Sequence, residues 1–192
     1  MKKKKCVRLS LIGPPGTGKG TQAVILAKQY KITTYSVGNL LRKEVRKKTV
    51  LGKKIKKDLE NGNLVVDAVV YKLLDKTLRH KESFILDGFP RDVSQARNFS
   101  MINYVIYLNS SKSNTFKRLL KRAHLESRKD DMLETIEHRW DVFKKKTSPV
   151  VAYYKKKGIL HEVDGNKNIH RVSQAIFILL DKDKRFQRLL GR

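Results

Sequence analysis

The 192-residue sequence contains one cysteine, Cys6, so it can form no internal disulfide and no cysteine-rich zinc site. It also lacks a long hydrophobic run: the longest, Ala175–Leu180, is far shorter than the roughly 20 residues of a transmembrane helix. The basic N-terminus has no signal-peptide core, because Arg8 and Ser10 interrupt its apolar part. These absences predict a cytoplasmic protein without membrane insertion.

Acidic residues are scarce: 18 Asp and Glu stand against 44 Lys and Arg, which gives a net charge of +26. Such a charge is compatible with a polyanionic partner such as nucleic acid. The lysines, however, occur in small groups throughout the chain, and no recognisable nucleic-acid-binding motif accompanies them. We interpret the excess as solvated helix faces and predict no specific nucleic-acid partner, with incidental attraction to RNA or a membrane surface as the alternative.

Short apolar segments alternate with longer segments of helical periodicity. This alternation is typical of an α/β fold, in which helices cover both faces of a parallel sheet and ligands bind at the carboxyl ends of the strands. The apolar segments predict strands at 6–12, 32–36, 83–89, 102–109 and 159–163. Helices are predicted at 19–30, 38–48, 50–61, 67–80, 112–124, 131–147, 149–157 and 168–182. The final segment KDKRFQRLLGR, residues 182–192, is predicted to form a basic helical extension or a fraying tail.

The segment GPPGTGKGTQ, residues 13–22, follows the first predicted strand and opens the first predicted helix. It matches the phosphate-binding pattern G-x-x-x-x-G-K-[ST] except that Gly20 stands where a hydroxyl residue is usual, and Thr21 comes one residue late. Glycines expose backbone N–H groups to phosphate oxygens, and the helix dipole adds to their attraction. Lys19 is therefore predicted to reach the outer phosphates of a nucleoside triphosphate.

The specific form GxPGxGKGTQ resembles the adenylate kinase family of nucleoside monophosphate kinases, whose loop also carries Gly after the Lys. The resemblance continues in family order over about residues 6–182. The similar segments are YSVGNLLR (35–42), NGNLVVDAVV (61–70), FILDGFPRDVSQA (84–96), RLLKR (118–122), SRKDDMLETIEHR (127–139) and VDGNK (163–167).

The resemblance implies a P-loop NTPase fold, in which helices wrap a five-stranded parallel sheet, as a single domain over residues 1–192. Its parts are a core (about 6–35, 81–121 and 140–182), a helical monophosphate-binding arm (about 36–66), a short lid (about 122–131) and a basic tail (183–192). Only AHLES separates Arg122 from Arg128, so the lid is expected to hold no zinc. We also expect a monomer.

The resemblance also implies roles at the ATP site. Lys19 and the loop amides would hold the phosphates, Arg118 would pack on the donor adenine, and Asp87 would place Mg²⁺ through water. The implied ATP-binding residues are Gly16, Thr17, Gly18, Lys19, Gly20, Thr21, Arg118, Arg122 and Lys167. The implied catalytic residues are Lys19, Asp87, Arg122, Arg128 and Arg139.

Helical spacing supports part of this set. Arg118 and Arg122 lie four residues apart on one predicted helix and share a face. Arg128 and Arg139 lie eleven residues apart and would share a face if their helix were continuous.

At the acceptor site, the resemblance implies that Arg42 and Arg91 clamp the phosphate with bidentate geometry. Gln95 would read the base, since its amide both donates and accepts and can pair with adjacent adenine atoms. The implied AMP-binding residues are Val37, Arg42, Asn63, Leu64, Val65, Gly88, Phe89, Pro90, Arg91, Gln95, Arg128 and Arg139.

Two positions depart from the adenylate kinase pattern: Val37 replaces a Thr, and Asn39 replaces an Asp near the magnesium waters. Neither change removes a charged clamp. The expected reaction is Mg²⁺-dependent transfer from ATP to AMP. A UMP/CMP kinase is the alternative that Val37 favours, and a basic nucleic-acid-binding protein with a degenerate loop is the alternative from another class.

Overall fold

The computed structural model describes residues 6–126 and 132–191, in which five parallel strands form one sheet. The spatial order is β2-β3-β1-β4-β5. The strands are β1 (Arg8–Ile12), β2 (Thr34–Ser36), β3 (Phe84–Asp87), β4 (Tyr104–Asn109) and β5 (Leu160–Asp164). The predicted five-stranded parallel sheet wrapped by helices is therefore confirmed.

The sheet register brings the carboxyl ends of three strands together. Asp87, the last residue of β3, lies opposite Leu11 near the end of β1 and opposite Ser36, the last residue of β2. The loop that leaves β1 at Gly13 therefore starts beside the end of β3. This edge is where ligands bind in open parallel sheets.

Ten α-helices cover the sheet within the described residues. They are α1 (Lys19–Tyr30), α2 (Val37–Arg46), α3 (Val50–Glu60), α4 (Asp67–Leu78), α5 (Val93–Asn98), α6 (Lys112–Glu126), α7 (Leu133–Val142), α8 (Ser148–Lys156), α9 (Ile169–Lys182) and α10 (Lys184–Leu189). None of these helices has the combination of length and apolar character needed to cross a membrane.

Two helix predictions require correction. The sequence did not predict α5, a six-residue helix whose N-terminus is capped by Asp92, which accepts a 2.8 Å hydrogen bond from the Gln95 N–H. The helix predicted over 131–147 begins only at Leu133, because Met132 is extended, and a π turn over Phe143–Thr147 joins it to α8. The wider turn precedes a proline, whose ring would clash with a regular helix. The continuous helix required for Arg128 and Arg139 to share a face does not extend before residue 133.

Both faces of the sheet are buried under helices. In β4, Tyr104, Ile106 and Leu108 pack in a cluster with α1 and α9, while Val105 faces the opposite cluster, which includes residues of α5 and α8. Successive side chains of a strand point to opposite faces, so apolar residues at adjacent positions indicate burial on both sides.

A third cluster joins the arm to the core. Here the arm is α2, α3 and the turn after α3. Val37 and Leu41 of α2 and Ile55 of α3 pack with Leu74 of α4 and with Phe89, which follows β3. The arm therefore has an apolar base against the sheet.

The C-terminal residues form a helix, which is one of the two forms predicted for them. Phe186 and Leu190 are buried in the same cluster as β1 and α9. Asp183 caps α10 by accepting hydrogen bonds from the N–H groups of Arg185 and Phe186, and its carboxylate also accepts a 2.8 Å bond from the Tyr104 hydroxyl. The C-terminal segment thus contributes Phe186 and Leu190 to the hydrophobic core.

Candidate active site

An open cleft of about 920 Å³ lies at the carboxyl ends of β1 and β3, between the arm and the helices α6, α7 and α9. It brings together most of the site residues that were predicted from the sequence. Those that line it are Gly16, Thr17, Gly18, Lys19, Gly20, Thr21, Arg42, Leu64, Asp87, Gly88, Pro90, Arg91, Arg118, Arg122, Arg139 and Lys167.

Five nominated acceptor residues do not line this cleft within the described residues. The side chains of Val37, Val65 and Phe89 are buried in the cluster at the base of the arm, because they are apolar. Gln95 is also buried, and Asn63 is hydrogen-bonded to His138 of α7. A sixth nominated residue, Arg128, lies outside the described residues.

The phosphate loop runs from Gly13 to Gly18 between β1 and α1. Gly16 has a φ of +84°, and a Cβ there would stand 2.6 Å from the carbonyl oxygen of Thr115. Only glycine fits this conformation and this space. The loop is therefore held closely against α6, with its backbone facing the cleft.

Lys19 begins α1, and its ammonium group lies within the loop. Nζ donates to the carbonyl oxygens of Gly13 at 2.8 Å and of Pro14 at 2.7 Å. Although the side chain as a whole is partly exposed, burial around the ammonium lowers its pKa from 10.5 to about 7. The Asp87 carboxylate acts to raise this pKa, and the nearby guanidinium groups of Arg91, Arg139 and Arg122 lower it further. An incoming polyphosphate would meet an ammonium that the loop already positions.

Asp87 ends β3, and its carboxylate lies close to Gly20 at the start of α1. No other Asp or Glu lines the cleft among the described residues. Mg²⁺ is commonly held by one or two carboxylates, several waters and the phosphates of a nucleotide. A single carboxylate beside a phosphate loop fits that donor set, and the described residues contain no cluster of three or more His, Cys, Asp or Glu residues that would form a protein-only metal site.

Arg118 of α6 ties the phosphate loop to the turn that follows β5. Its guanidinium donates to the carbonyl oxygens of Gly165 at 2.7 Å and of Lys167 at 2.8 Å, and more weakly to Thr17 at 3.5 Å. These bonds lie at the edges of the planar group and leave its faces available for stacking. The expected contact with a purine is compatible with this orientation.

Arg42 lines the cleft from α2 of the arm, and Arg91 lines it from the segment after β3. Arg42 donates to the Asn39 side-chain oxygen at 2.5 Å, and Nε of Arg91 donates to the Gly88 carbonyl at 2.9 Å. Asn39 is one of the two departures from the family pattern, and its observed contact orients Arg42. The Asn side chain therefore has a local role that the sequence did not indicate.

Gln95 lies in the first turn of α5, next to Arg91. Its Oε1 accepts a 2.8 Å hydrogen bond from the backbone N–H of Arg91, and its Nε2 donates a 2.6 Å bond to the Asp67 carboxylate. A backbone N–H only donates and an ionised carboxylate only accepts, so these partners determine which end of the amide is nitrogen. One N–H and one lone pair of the amide remain for another partner.

The cleft is strongly cationic. Among the described residues that line it, Asp87 is the one carboxylate, and the cations are Lys19, Arg42, Arg91, Arg118, Arg122, Arg139 and Lys167. Phosphoryl transfer places and neutralises several negatively charged groups, and positioned cations provide most of its catalysis. The arrangement is therefore suited to bringing two phosphorylated compounds together.

Sequence reasoning missed three contacts at this site. They are the support of Arg42 by Asn39, the pairing of Gln95 with Asp67, and the contact of Asn63 with His138. The last two join residues 28 and 75 positions apart, for which no local pattern gives a signal. The first spans one helical turn, an i, i+3 spacing that could have indicated it.

Comparison with known proteins gives consistent matches. A family model for adenylate kinase matches residues 11–159. An adenylate kinase from Xylella fastidiosa (strain 9a5c) is 38% identical, over 91% of this chain and 99% of its own length. An adenylate kinase from Thermobifida fusca (strain YX) is 36% identical, over 91% and 98%. The UMP-CMP kinase 1 of Oryza sativa subsp. japonica is 37% identical, over 94% and 78%.

These matches cover most of the chain, and the fold and the cationic phosphate-loop cleft agree with them. Because the relatives are named both adenylate kinase and UMP-CMP kinase, the comparisons identify the class of enzyme but not its acceptor. The chain belongs to the adenylate kinase family and is a nucleoside monophosphate kinase.

Proposed function

We propose that the protein catalyses ATP + AMP ⇌ 2 ADP with Mg²⁺. The observation that carries the choice of AMP is the amide of Gln95, whose orientation is determined by Asp67 and by the Arg91 backbone. Gln95 is buried beside Arg91 and does not itself line the cleft, so we propose that the acceptor base reaches the remaining donor and acceptor of its amide, which suit the adjacent N1 and N6 atoms of adenine.

In the proposed reaction, ATP binds along the phosphate loop and draws the Lys19 ammonium from the loop carbonyls to its outer phosphates. Arg42 and Arg91 hold the acceptor phosphate. Mg²⁺, placed by Asp87 through water, would neutralise the phosphate oxygens of ATP. Arg122, Arg128 and Arg139 would meet the negative charge of the transferred group. The acceptor oxygen is already ionised, so the reaction needs no general base.

The pyrimidine alternative rests on Val37, because the apolar residue lacks the hydroxyl that the Thr of adenylate kinases supplies. Val37 is buried at the base of the arm, where it contributes to packing. We give Gln95 more weight than Val37. A mismatched buried amide leaves polar groups unpaired, whereas a missing hydroxyl loses only one hydrogen bond of about 1 kcal/mol.

A coupled assay with ATP and each of AMP, CMP and UMP tests the acceptor. We expect kcat/KM for AMP to exceed that for CMP and UMP at least about tenfold, a gap of about 1.4 kcal/mol. Gln95→Asn should narrow the gap, because the shorter side chain suits a pyrimidine. Gln187→Asn, at a glutamine that bonds to Leu180 away from the cleft, is the matched control. Equal efficiency with CMP in the unmodified protein would favour a UMP/CMP kinase.

The remaining proposals concern the protein's surroundings. We propose a cytoplasmic monomer, without zinc and without a specific nucleic-acid partner. Filter binding to RNA over a salt series tests the last point, since attraction through lysines alone should fall steeply as salt rises. Tight binding at physiological salt together with absent phosphotransfer would favour the nucleic-acid-binding alternative.

A further inference from the structure

The turn after α3 ends the arm at the wall of the cleft. Its backbone closes α3: the Gly62 N–H donates to the Leu59 carbonyl, and the Asn63 N–H donates to the Asp58 carbonyl at 2.8 Å. Gly62 has a φ of +77°, which is the conformation typical of a glycine that ends a helix. The backbone of the turn is thus satisfied within the arm, without its side chains.

The side chain of Asn63 reaches out of the arm to α7. Its Oδ1 lies 2.7 Å from Nε2 of His138, and these residues are 75 positions apart in the sequence. Because Oδ1 accepts, the imidazole donates from Nε2. His138 immediately precedes Arg139, one of the proposed transfer arginines.

Gly62 meets the same part of α7. A Cβ at this position would stand 2.5 Å from Cγ of Arg139 and 3.1 Å from Cγ2 of Thr135. The bare backbone of the turn therefore lies against the aliphatic part of Arg139. Two adjacent residues of the arm contact two adjacent residues of α7, one by a hydrogen bond and one by close packing.

We propose that this turn positions Arg139 for phosphoryl transfer. When the arm lies as in this structure, Gly62 limits where the stem of Arg139 can lie, and the Asn63–His138 bond holds α7 at that place. Gly62 and Leu64 also line the cleft, so the turn that contacts Arg139 also forms part of the wall of the cleft. The position of the arm and the placement of Arg139 are thereby coupled. The inference rests on the proposed transfer role of Arg139 but not on AMP as the acceptor.

Substitutions of Asn63 and His138 distinguish the positioning of Arg139 from the capping of α3. A substitution of Gly62 cannot make this distinction, because it would also strain the turn. We expect Asn63→Ala and His138→Ala each to lower kcat about fivefold, with the KM for ATP unchanged, as for a hydrogen bond that acts mainly in the transition state. The double variant should be no slower than either single variant, because both remove the same contact. His138→Gln should restore most of kcat, since its Nε2 also donates.

Matched controls lie next to each partner. Asn61→Ala and Glu137→Ala alter exposed neighbours and should leave kcat unchanged. The inference is overturned if the effects of Asn63→Ala and His138→Ala add, if the controls lower kcat equally, or if neither variant changes kcat. These measurements use whichever monophosphate is the best acceptor, so a preference for CMP would refute the choice of AMP while still testing this contact.

The only tryptophan of the chain, Trp140, follows Arg139 and supplies a second readout. Its ring lies 5.8 Å from that of Phe143 and 6.4 Å from that of Phe116. With a non-hydrolysable ATP analogue present, adding AMP or CMP should change its emission in the unmodified protein. Asn63→Ala should remove at least about half of this change and leave the response to the ATP analogue intact. An unaltered acceptor response in Asn63→Ala would overturn the inference, even if no phosphotransfer were detected.

Discussion

Gly20 and Asp87 lie so close that a Cβ on Gly20 would stand 3.2 Å from Oδ2 of Asp87. This contact accounts for the glycine that follows Lys19, where phosphate loops usually carry Ser or Thr. A side chain at position 20 would push the proposed magnesium-placing carboxylate away. Thr21, one residue later, also lines the cleft.

Gly20→Ala is therefore expected to separate activity from stability. Displacement of Asp87 should lower kcat about tenfold, which corresponds to about 1.4 kcal/mol of transition-state stabilisation. The free energy of unfolding should be unchanged or higher, because Ala is favoured over Gly in a helix by up to about 1 kcal/mol. Steady-state kinetics and urea unfolding check the two effects. A large loss of stability would show that the glycine is needed for folding.

Lys19→Met should reduce kcat to at most a few per cent, because methionine removes the cation that we propose binds the outer phosphates of ATP. Removing a positioned electrostatic group typically costs about 100-fold or more. The fold should remain intact, since burial disfavours the charged ammonium in the free protein. Thermal unfolding monitored beside activity checks both points. More activity with a normal melting temperature would contradict the assignment of the phosphate loop.

Nucleotide binding should take up a proton above pH 7. In the free protein burial lowers the pKa of Lys19 to about 7, so at pH 8 it is mainly neutral, and a bound polyphosphate favours the charged form. Titration calorimetry with an ATP analogue in two buffers of different ionisation enthalpy should give an uptake near one proton. Lys19→Met should lose this proton uptake.

The lowered pKa of Lys19 also affects stability. Between pH 7 and about 10.5 the unfolded chain binds more protons than the folded protein, so Lys19 makes the free energy of unfolding rise with pH in this range.

Asp67→Ala tests the orientation of the Gln95 amide. Loss of one hydrogen bond of about 1 kcal/mol should lower kcat/KM for AMP about fivefold and narrow the AMP-to-UMP ratio, because uracil presents the reversed donor and acceptor order. Asp67→Asn keeps an accepting oxygen and should retain the ratio. Asp75→Ala, an exposed acid on the same helix, is the control. Equal losses for AMP and UMP would indicate a purely structural role.

Asp183 should contribute to stability in a pH-dependent way. Burial acts to raise the pKa of its carboxyl group, but hydrogen bonds from the Phe186 and Arg185 backbones and the Tyr104 hydroxyl outweigh this and lower it. The stabilisation is present above the ordinary pKa of 3.8 and is lost as pH falls through the lower folded value. Asp183→Asn keeps a good N-cap but replaces a charged acceptor by a neutral amide, so it should cost about 1 kcal/mol in urea unfolding at pH 7. The difference from the unmodified protein should shrink as the pH falls below 3.8.

The order of strands and helices is largely predictable from the sequence, because buried residues recur with the period of the element that contains them. The five strands were recognised from apolar runs, and the phosphate loop from its glycines and Lys19. The short helix α5 was missed because six residues are too few to show a helical period. The helix begins at a cap made by Asp92, but aspartate is equally common in turns, so this residue alone did not indicate a helix.

The amino-acid sequence alone identifies the chemical groups of the cleft: a phosphate loop, the carboxylate of Asp87 and a set of arginines at recognisable spacings. Which side chains contact one another follows only from the fold. Gln95 meets Asp67, and Asn63 meets His138, because helices from distant parts of the chain converge at the edge of the sheet. Periodicity records whether a side chain is buried, but not its partner, since a hydrogen bond between distant residues leaves no trace in the local pattern of either one.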